Sequence, residues 1–169
     1  SIVRNPDTAT NANFGKSVSI VSGSDALYCA IGAPGHNSST GRAYLYKFTG
    51  NDFATSTLLS TLTASDESTS RYFGTSTSIA SSSYGIYTAA GCLTHNKSYL
   101  YKTLNGATSE ISALTASTSP ASGEGFGRSV SVSALSNGIV YTLVGAEQEE
   151  LPGNRTSSGA AFLFRTYND

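Results

Sequence analysis

The stretches FGKSVSI (14–20), FGTSTSI (73–79) and FGRSVSV (126–132) decide the fold that this sequence predicts. Each begins with a Phe-Gly pair and continues as a short run in which side-chain types alternate. Alternation with a period of two is typical of a β-strand that has one apolar face. The copies lie about 50 to 60 residues apart, and an internal period of this length indicates a repeat architecture.

Further strand-like runs follow each Phe-Gly strand in a constant order. The second run is apolar and ends in Gly, the third is rich in aromatic residues, and a fourth run closes the unit. The copies of the second run are ALYCAIGAP (26–34), GIYTAAGCL (85–93) and GIVYTLVGAE (138–147). The copies of the third are AYLYKF (43–48), SYLYK (98–102) and AFLFR (161–165). The fourth occurs as LLSTLTASD (58–66) and EISALTAST (110–118).

This order predicts a single domain, residues 1–169, that contains three repeats, at about residues 14–66, 73–118 and 126–169. The third repeat has no fourth run of its own. We expect residues 1–7 to supply the missing strand, because they match the end of the fourth run.

The match rests on spacing. Asp7 precedes Phe14 by the same seven residues that separate Asp66 from Phe73. On this register Ile2-Val3-Arg4 corresponds to the end of a fourth strand.

Glycine and serine clusters interrupt the chain at short intervals, and no segment carries a helical stripe of useful length, so the sequence predicts an all-β protein. Four strands per repeat is the size of one blade of a β-propeller. We therefore expect three four-stranded blades, which make a half-propeller. A β-trefoil also has three repeats and is the alternative, but its units are usually shorter and lack this order of four strands.

The composition sets aside several classes of protein. The chain has 10 Lys and Arg against 11 Asp and Glu, a net charge of -1, and so offers no basic stripe for nucleic acid. No apolar run approaches the roughly 20 residues of a membrane span. Low charge with abundant small hydroxyl side chains indicates an extracellular, cell-surface or particle-surface location.

The two cysteines, Cys29 and Cys92, are too few for a disulfide framework. They could form one bridge. Cys29 lies in an apolar run, where a buried free thiol is the alternative.

The quoted motifs resemble the FG-GAP repeat, in its bacterial-type form with a short first turn. FGKSVSI, AIGAPG, GRAYLY and LTASD followed by FG carry the resemblance, which covers nearly the whole chain. The second and third repeats depart from it, with Gly91-Cys92-Leu93 and Gly145-Ala146-Glu147 where Gly-Ala-Pro is expected. The resemblance implies a β-propeller like the head of integrin α chains, and adhesion rather than catalysis.

Calcium-binding members of that family carry a loop of several aspartates between the first two strands, because Ca²⁺ takes six to eight oxygen ligands. The corresponding segments here contain one carboxylate, Asp25. We therefore expect no metal and no other cofactor.

Three blades cannot close an ordinary ring, since propellers have about four to eight blades. Two chains would give six blades, with Ile2-Val3-Arg4 of one chain completing the third blade of the other, so a homodimer is expected. A filament or higher assembly that never closes is the second possibility. The third is that the sequence is a piece of a larger propeller.

Enzyme motifs are not found in the sequence, and only His36 and His95 could act as bases. They occupy equivalent loops of different repeats, so each would need its own nucleophile and acid. We expect a protein without catalytic residues.

Binding is expected in loops on one rim of the blades, because exposed loops on a rigid scaffold concentrate binding residues. The alternative for each candidate is an ordinary turn residue or packing at a strand edge. The candidates are His36, Asn37, Arg71, Tyr72, His95, Asn96, Glu149 and Arg155.

Three glycosylation sequons fall in the loop between the second and third strands, at Asn37, Asn96 and Asn154. They would carry glycans if the source is eukaryotic and the protein is secreted.

The sequence as a whole predicts an extracellular adhesion or recognition module that binds a protein or a glycan. The alternative is a structural subunit that assembles through its open blade edges into a filament, an array or a particle surface.

Overall fold

The structure, a computed structural model, describes residues 2–50, 55–66, 71–94, 96–116, 125–148 and 158–167. These residues form eleven strands in three antiparallel sheets of four, four and three strands, which confirms the all-β prediction. In each sheet consecutive strands are neighbours, and the sheets do not close into a ring. Among the residues described, no helix is long and apolar enough to cross a membrane.

Sheet 1 lies in the first predicted repeat and sheet 2 in the second. The strands of sheet 1 are β1 (Ser17–Ser22), β2 (Leu27–Ala33), β3 (Arg42–Thr49) and β4 (Thr55–Leu62). The strands of sheet 2 are β5 (Ser76–Ser82), β6 (Gly85–Gly91), β7 (Lys97–Leu104) and β8 (Ala107–Thr115). A short turn, α1 (His36–Ser39), connects β2 to β3, and its backbone is left-handed at Asn37 and Ser38, with φ of 47° and 54°.

Sheet 3 has three strands, β9 (Phe126–Ala134), β10 (Val140–Ala146) and β11 (Ala160–Thr166). Its outer strand β11 pairs only with β10 among the described residues. Ile2, Val3 and Arg4 belong to no strand of the single chain.

The aromatic face of each sheet is covered by the chain segment that precedes the sheet. On sheet 2, Tyr99 and Tyr101 pack against Leu62 at the end of β4 and against Phe73. On sheet 3, Leu114 and Phe126 cover the aromatic rings of β11 in the same way.

Residues 2–14 cover sheet 1 in the place that 61–66 and 71–73 take on sheet 2. Val3 and Phe14 pack against Tyr44 and Tyr46 of β3. Apolar burial of this kind is the main stabilising contribution in each sheet.

The opposite faces of the sheets pack against one another through their first strands, with β5 between β1 and β9. This approach is close enough to require glycine. A Cβ atom on Gly32 would overlap the carbonyl oxygen of Gly74, and a Cβ atom on Gly91 would overlap that of Gly127. The backbone at Gly74 and Gly127 has φ of 85° and 88°, which also favours glycine.

We expect Gly32→Ala and Gly91→Ala each to lower the free energy of unfolding by about 2 kcal/mol or more, because the added methyl group forces two backbones apart. Urea unfolding followed by circular dichroism measures the change. Gly145→Ala is the matched control when unfolding is measured on single chains, since within one chain the atoms nearest to its added Cβ all belong to the exposed side chain and backbone of Ser129. An equal loss in all three variants would show that the approach of the sheets is not the cause.

Candidate functional site

The contact between neighbouring sheets is made by the same groups twice. The Ser17 hydroxyl donates to the carbonyl oxygen of Gly74 at 2.9 Å, and the Ser76 hydroxyl donates to that of Gly127 at 2.7 Å. Ser17 lies opposite Gly32 in its sheet and Ser76 lies opposite Gly91, so each pair forms one small receptor for the next sheet.

Two backbone N–H groups extend this pattern along the strands. The N–H of Ile79 donates to the Ser19 hydroxyl at 3.2 Å, and the N–H of Val132 donates to the Ser78 hydroxyl at 3.0 Å. The alternating serines of the first strands therefore bond to the following sheet.

Apolar side chains from the two sheets complete each of these contacts. Tyr28, Ala30 and Leu45 of sheet 1 cluster with Ile79 and Ile86 of sheet 2. Tyr87, Ala89 and Leu100 of sheet 2 cluster in the same way with Val132 and Val140 of sheet 3.

Each of the two outer faces of the stack holds one half of this contact, and among the described residues neither half has a neighbour. On sheet 1, Val18 and Ile20 of β1 are 70% and 62% exposed. On sheet 3, Leu163 is 67% exposed, whereas Leu45 and Leu100 at the same register of sheets 1 and 2 are 0% exposed. Large exposed apolar side chains that cluster on one face indicate an interaction surface.

An open cavity of about 470 Å³ lies at the edge of the outer face of sheet 3. Its mouth carries an ion pair between Arg128 and Glu147. Ser129, Gly145, Ala146 and Ser158 to Ala160 complete its lining.

A larger groove of about 700 Å³ lies between sheets 1 and 2, at the end that holds the β1–β2, β5–β6 and β7–β8 turns. Its lining is rich in hydroxyl side chains: Ser22, Ser24, Ser81, Ser82, Ser83 and Thr103. Asn105 and the side chains of Asp25, Tyr28 and Lys47 complete its polar groups.

Asp25 is fixed by its neighbours in this groove. The Lys47 ammonium donates to its carboxylate at 2.6 Å and the Tyr28 hydroxyl donates at 3.0 Å. The hydrogen bond from Lys47, and next that from Tyr28, lower the pKa of Asp25. The same bond raises the pKa of Lys47. Both charges are therefore present at neutral pH, side by side at the groove.

At the opposite end of the sheets, Asp7 joins the N-terminal segment to sheet 1. Arg42 donates to its carboxylate at 2.8 Å, Tyr44 donates at 2.6 Å, and His36 Nε2 lies 3.1 Å away. The hydrogen bond from Tyr44 lowers the pKa of Asp7 against the effect of burial, and Arg42 lowers it further. Burial lowers the pKa of His36, and the charge of Arg42 adds to that effect.

Asp66 plays the same part for sheet 2. Lys97 donates to its carboxylate at 2.5 Å, Arg71 donates at 3.2 Å, and the Tyr99 hydroxyl also donates. Burial raises the pKa of Asp66, but the hydrogen bonds from Lys97 and Tyr99 and the charge of Arg71 outweigh it and lower the pKa to about 2. These two clusters attach the segment that carries Asp7 to sheet 1 and the segment that carries Asp66 to sheet 2. In both clusters the carboxylate is paired with cations.

The structure separates the predicted site residues. His36 and Arg71 are only 8% and 7% exposed, so the exposed rim position that we expected for both is not observed. The physical reason is that His36 pairs with Asp7 and Arg71 pairs with Asp66, so both side chains are buried against their own sheets. Asn37 is exposed, whereas Tyr72 and Asn96 are partly buried. His95, Glu149, Asn154 and Arg155 lie outside the described residues.

Sequence reasoning missed Tyr28 and Lys47, which hold Asp25 in the groove. A signal was present, because Lys47 and Lys102 follow the aromatic run at the same position of their repeats. In the sequence, Asp25 is distinguished only as the one carboxylate in the segments that correspond to calcium loops.

Groups that could hold a metal ion do not gather in the described part of the chain: no three His, Cys, Asp or Glu side chains are suitably placed there. The two cysteines are free thiols, Cys29 partly buried and Cys92 buried. Burial raises the pKa of the Cys92 thiol to about 12. It is therefore a packing residue at neutral pH.

No protein-family model matches this chain, and none of the curated proteins matches it.

We expect the stabilising contribution of Asp66 to disappear in acid. Its pKa is about 2 in the folded state against 3.8 for an ordinary Asp, so its contribution is complete above the higher value and is lost as the pH falls towards the lower. The side chain is 37% exposed, so solvent screening limits the loss to about 1 kcal/mol.

The measurement is the urea unfolding of the wild type and of Asp66→Asn between about pH 5 and pH 2. The wild type should be the more stable protein at pH 5, and the difference should shrink towards pH 2. If the free energies of unfolding of the two proteins changed with pH in parallel, the stabilising role assigned to the Asp66 carboxylate would be wrong.

Proposed function

We propose that this chain is a non-catalytic recognition module in which the three sheets are β-propeller blades of the FG-GAP type. The side-by-side packing of the first strands supports the blade arrangement, because only small side chains fit near the axis of a propeller and these strands are joined through Ser17, Ser19, Ser76 and Ser78. The abundance of serine and threonine with low charge supports an extracellular or surface location.

The groove between sheets 1 and 2 is the proposed binding site, and its polar lining is the main support for a recognition function. Backbone turns and hydroxyl side chains line it, while Asp25 and Lys47 offer an anion and a cation within 2.6 Å of each other. The carboxylate accepts hydrogen bonds, the ammonium donates them, and the amide and hydroxyl groups do both, so together they match sugar hydroxyls, which donate and accept. A glycan is therefore the ligand class that fits best, ahead of a polypeptide.

This site lies at the end of the blades opposite to the loop that carries Asn37. A glycan attached at the Asn37 sequon would leave the groove open. Glycosylation at this position and at Asn96 and Asn154 stays a prediction, as does a role of the rim loops in binding.

A structural subunit is the second candidate function. The exposed Val18, Ile20 and Leu163 on the outer faces favour it, because such faces drive association. The two candidates differ in their expected solution mass, since a recognition module forms a discrete species and a filament or array subunit a broad distribution.

We expect immobilised glycans to capture the protein on an array, and Lys47→Ala to weaken the best of these interactions about tenfold, the effect of losing one charge-assisted hydrogen bond. Lys102→Ala is the matched control. Lys102 faces Tyr87 across β6 and β7 just as Lys47 faces Tyr28 across β2 and β3, but it is not part of the groove. Calorimetry with the captured glycan gives the affinities.

An array without hits would overturn the glycan as the ligand. Equal weakening by the two lysine variants would overturn the groove as the site.

A further inference from the structure

We propose that a second copy of this chain docks on the outer face of sheet 3, presenting its Phe14-Gly15 turn and its strand β1, so that two copies close one ring of six sheets. The contacts between neighbouring sheets support this docking, which is independent of ligand binding in the groove.

The cavity beside Gly145 has the lining of the two receptors that are already filled within the chain. Gly145 lies opposite Ser129 as Gly32 lies opposite Ser17 and Gly91 opposite Ser76. In the two inner cases the carbonyl oxygen of a Phe-Gly glycine accepts from the serine hydroxyl. At sheet 3 the same receptor opens into the cavity of about 470 Å³.

Gly15 is the group that matches this receptor. Its φ of 89° is within a few degrees of the 85° of Gly74 and the 88° of Gly127. In all three turns the N–H of the residue after this glycine also donates to the carbonyl of the residue before the phenylalanine, so the three turns have the same hydrogen-bonded form. A Cβ atom on Gly15 would meet no atom of the described residues within 4 Å. The turn is thus preformed and uncovered, and we assign its carbonyl oxygen to the hydroxyl of Ser129 in the other copy.

The apolar halves of the two faces match as well. Within the chain, Ile79 packs on Leu45 and Val132 packs on Leu100. Ile20 has the position of Ile79 in its strand, and Leu163 has the position of Leu45 in its sheet. Docking therefore places Ile20 of one copy on Leu163 of the other and removes both exposed side chains from water.

One further hydrogen bond continues the serine pattern. Ser131 is exposed at the register of Ser19 and Ser78, which accept from the N–H groups of Ile79 and Val132. The N–H of Ile20 in the second copy has the corresponding place and would donate to Ser131.

The N-terminal segment fits the same arrangement. Leu62 at the end of β4 lies opposite Ala43 and packs on the following sheet, and Leu114 does the same opposite Ser98. Val3 packs on sheet 1 in the place of these leucines. In the docked pair Val3 lies beside Ala161 of the other copy, on the side of β11 where the described residues supply no neighbouring strand.

Two copies are the number that closes the ring. Each chain carries one face of each kind, so the contact is heterologous and joins sheet 1 to sheet 3 at both ends of the pair. Six sheets lie within the usual four to eight blades of a propeller, and nine do not.

Light scattering coupled to size exclusion should give a discrete mass of about 35 kDa, twice the 17.4 kDa of one chain, over a wide range of concentration. A single-chain mass at every concentration, or a polydisperse distribution that grows with concentration, would overturn the closed pair.

Three variants test the faces. Ile20→Lys, Leu163→Glu and Gly145→Ala should each leave single chains, because the first two charge an apolar contact and the third fills the receptor for the Gly15 carbonyl. Leu104→Lys is the control, since it also charges an exposed leucine but lies at the end of β7, beside the β7–β8 turn and away from both outer faces. Circular dichroism verifies that all four variants are folded.

Mixing Ile20→Lys with Leu163→Glu is the decisive step. A mixed pair has one unaltered contact and one contact between Lys and Glu, so the double-chain mass should return in the mixture and in neither variant alone. A symmetric contact between two sheet 1 faces would instead leave Leu163→Glu paired by itself. That result, or a mixture that stays single-chain, would overturn the assignment.

Discussion

The close approach of first strands, serine hydroxyl to glycine carbonyl, is the constraint on which the rest of the structure depends. Gly32 and Gly91 admit the neighbouring backbone, and Ser17 and Ser76 satisfy the carbonyl that enters. A buried carbonyl without a partner would cost free energy, so the hydroxyl and the missing side chain are needed together. These contacts between the first strands set the positions of the other parts of the sheets, including the groove and the turns.

Much of the fold was predictable because its signals are local. The alternating runs after the Phe-Gly pairs overlap β1, β5 and β9. The aromatic third runs lie in β3, β7 and β11. The inward position of His36 and Arg71 was not predictable, because it depends on pairing with Asp7 and Asp66 in other segments. The sequence contained the spacing of the two aspartates, but spacing alone does not reveal what a carboxylate contacts.

The third sheet differs chemically from the other two. Phe162 and Ala160 lie where sheets 1 and 2 have the tyrosine and the cation of their aspartate clusters, Tyr44 with Arg42 and Tyr99 with Lys97. The tyrosine hydroxyl and the cation are absent there together, which avoids an unpaired buried hydroxyl group. Among the described residues, sheet 3 is therefore held by apolar contacts where its neighbours also have charge pairs.

The two outer faces are unlike each other, and this gives the chain a direction. A protein whose self-contact joins unlike faces can be blocked at one face while the other stays competent. In the proposed ring, a copy altered at Ile20 alone would still offer its intact sheet 3 to an unaltered chain and would hold that chain in an unclosed pair. If that ring forms, an allele of this kind would act as a dominant inhibitor of its normal counterpart in a cell that makes both forms.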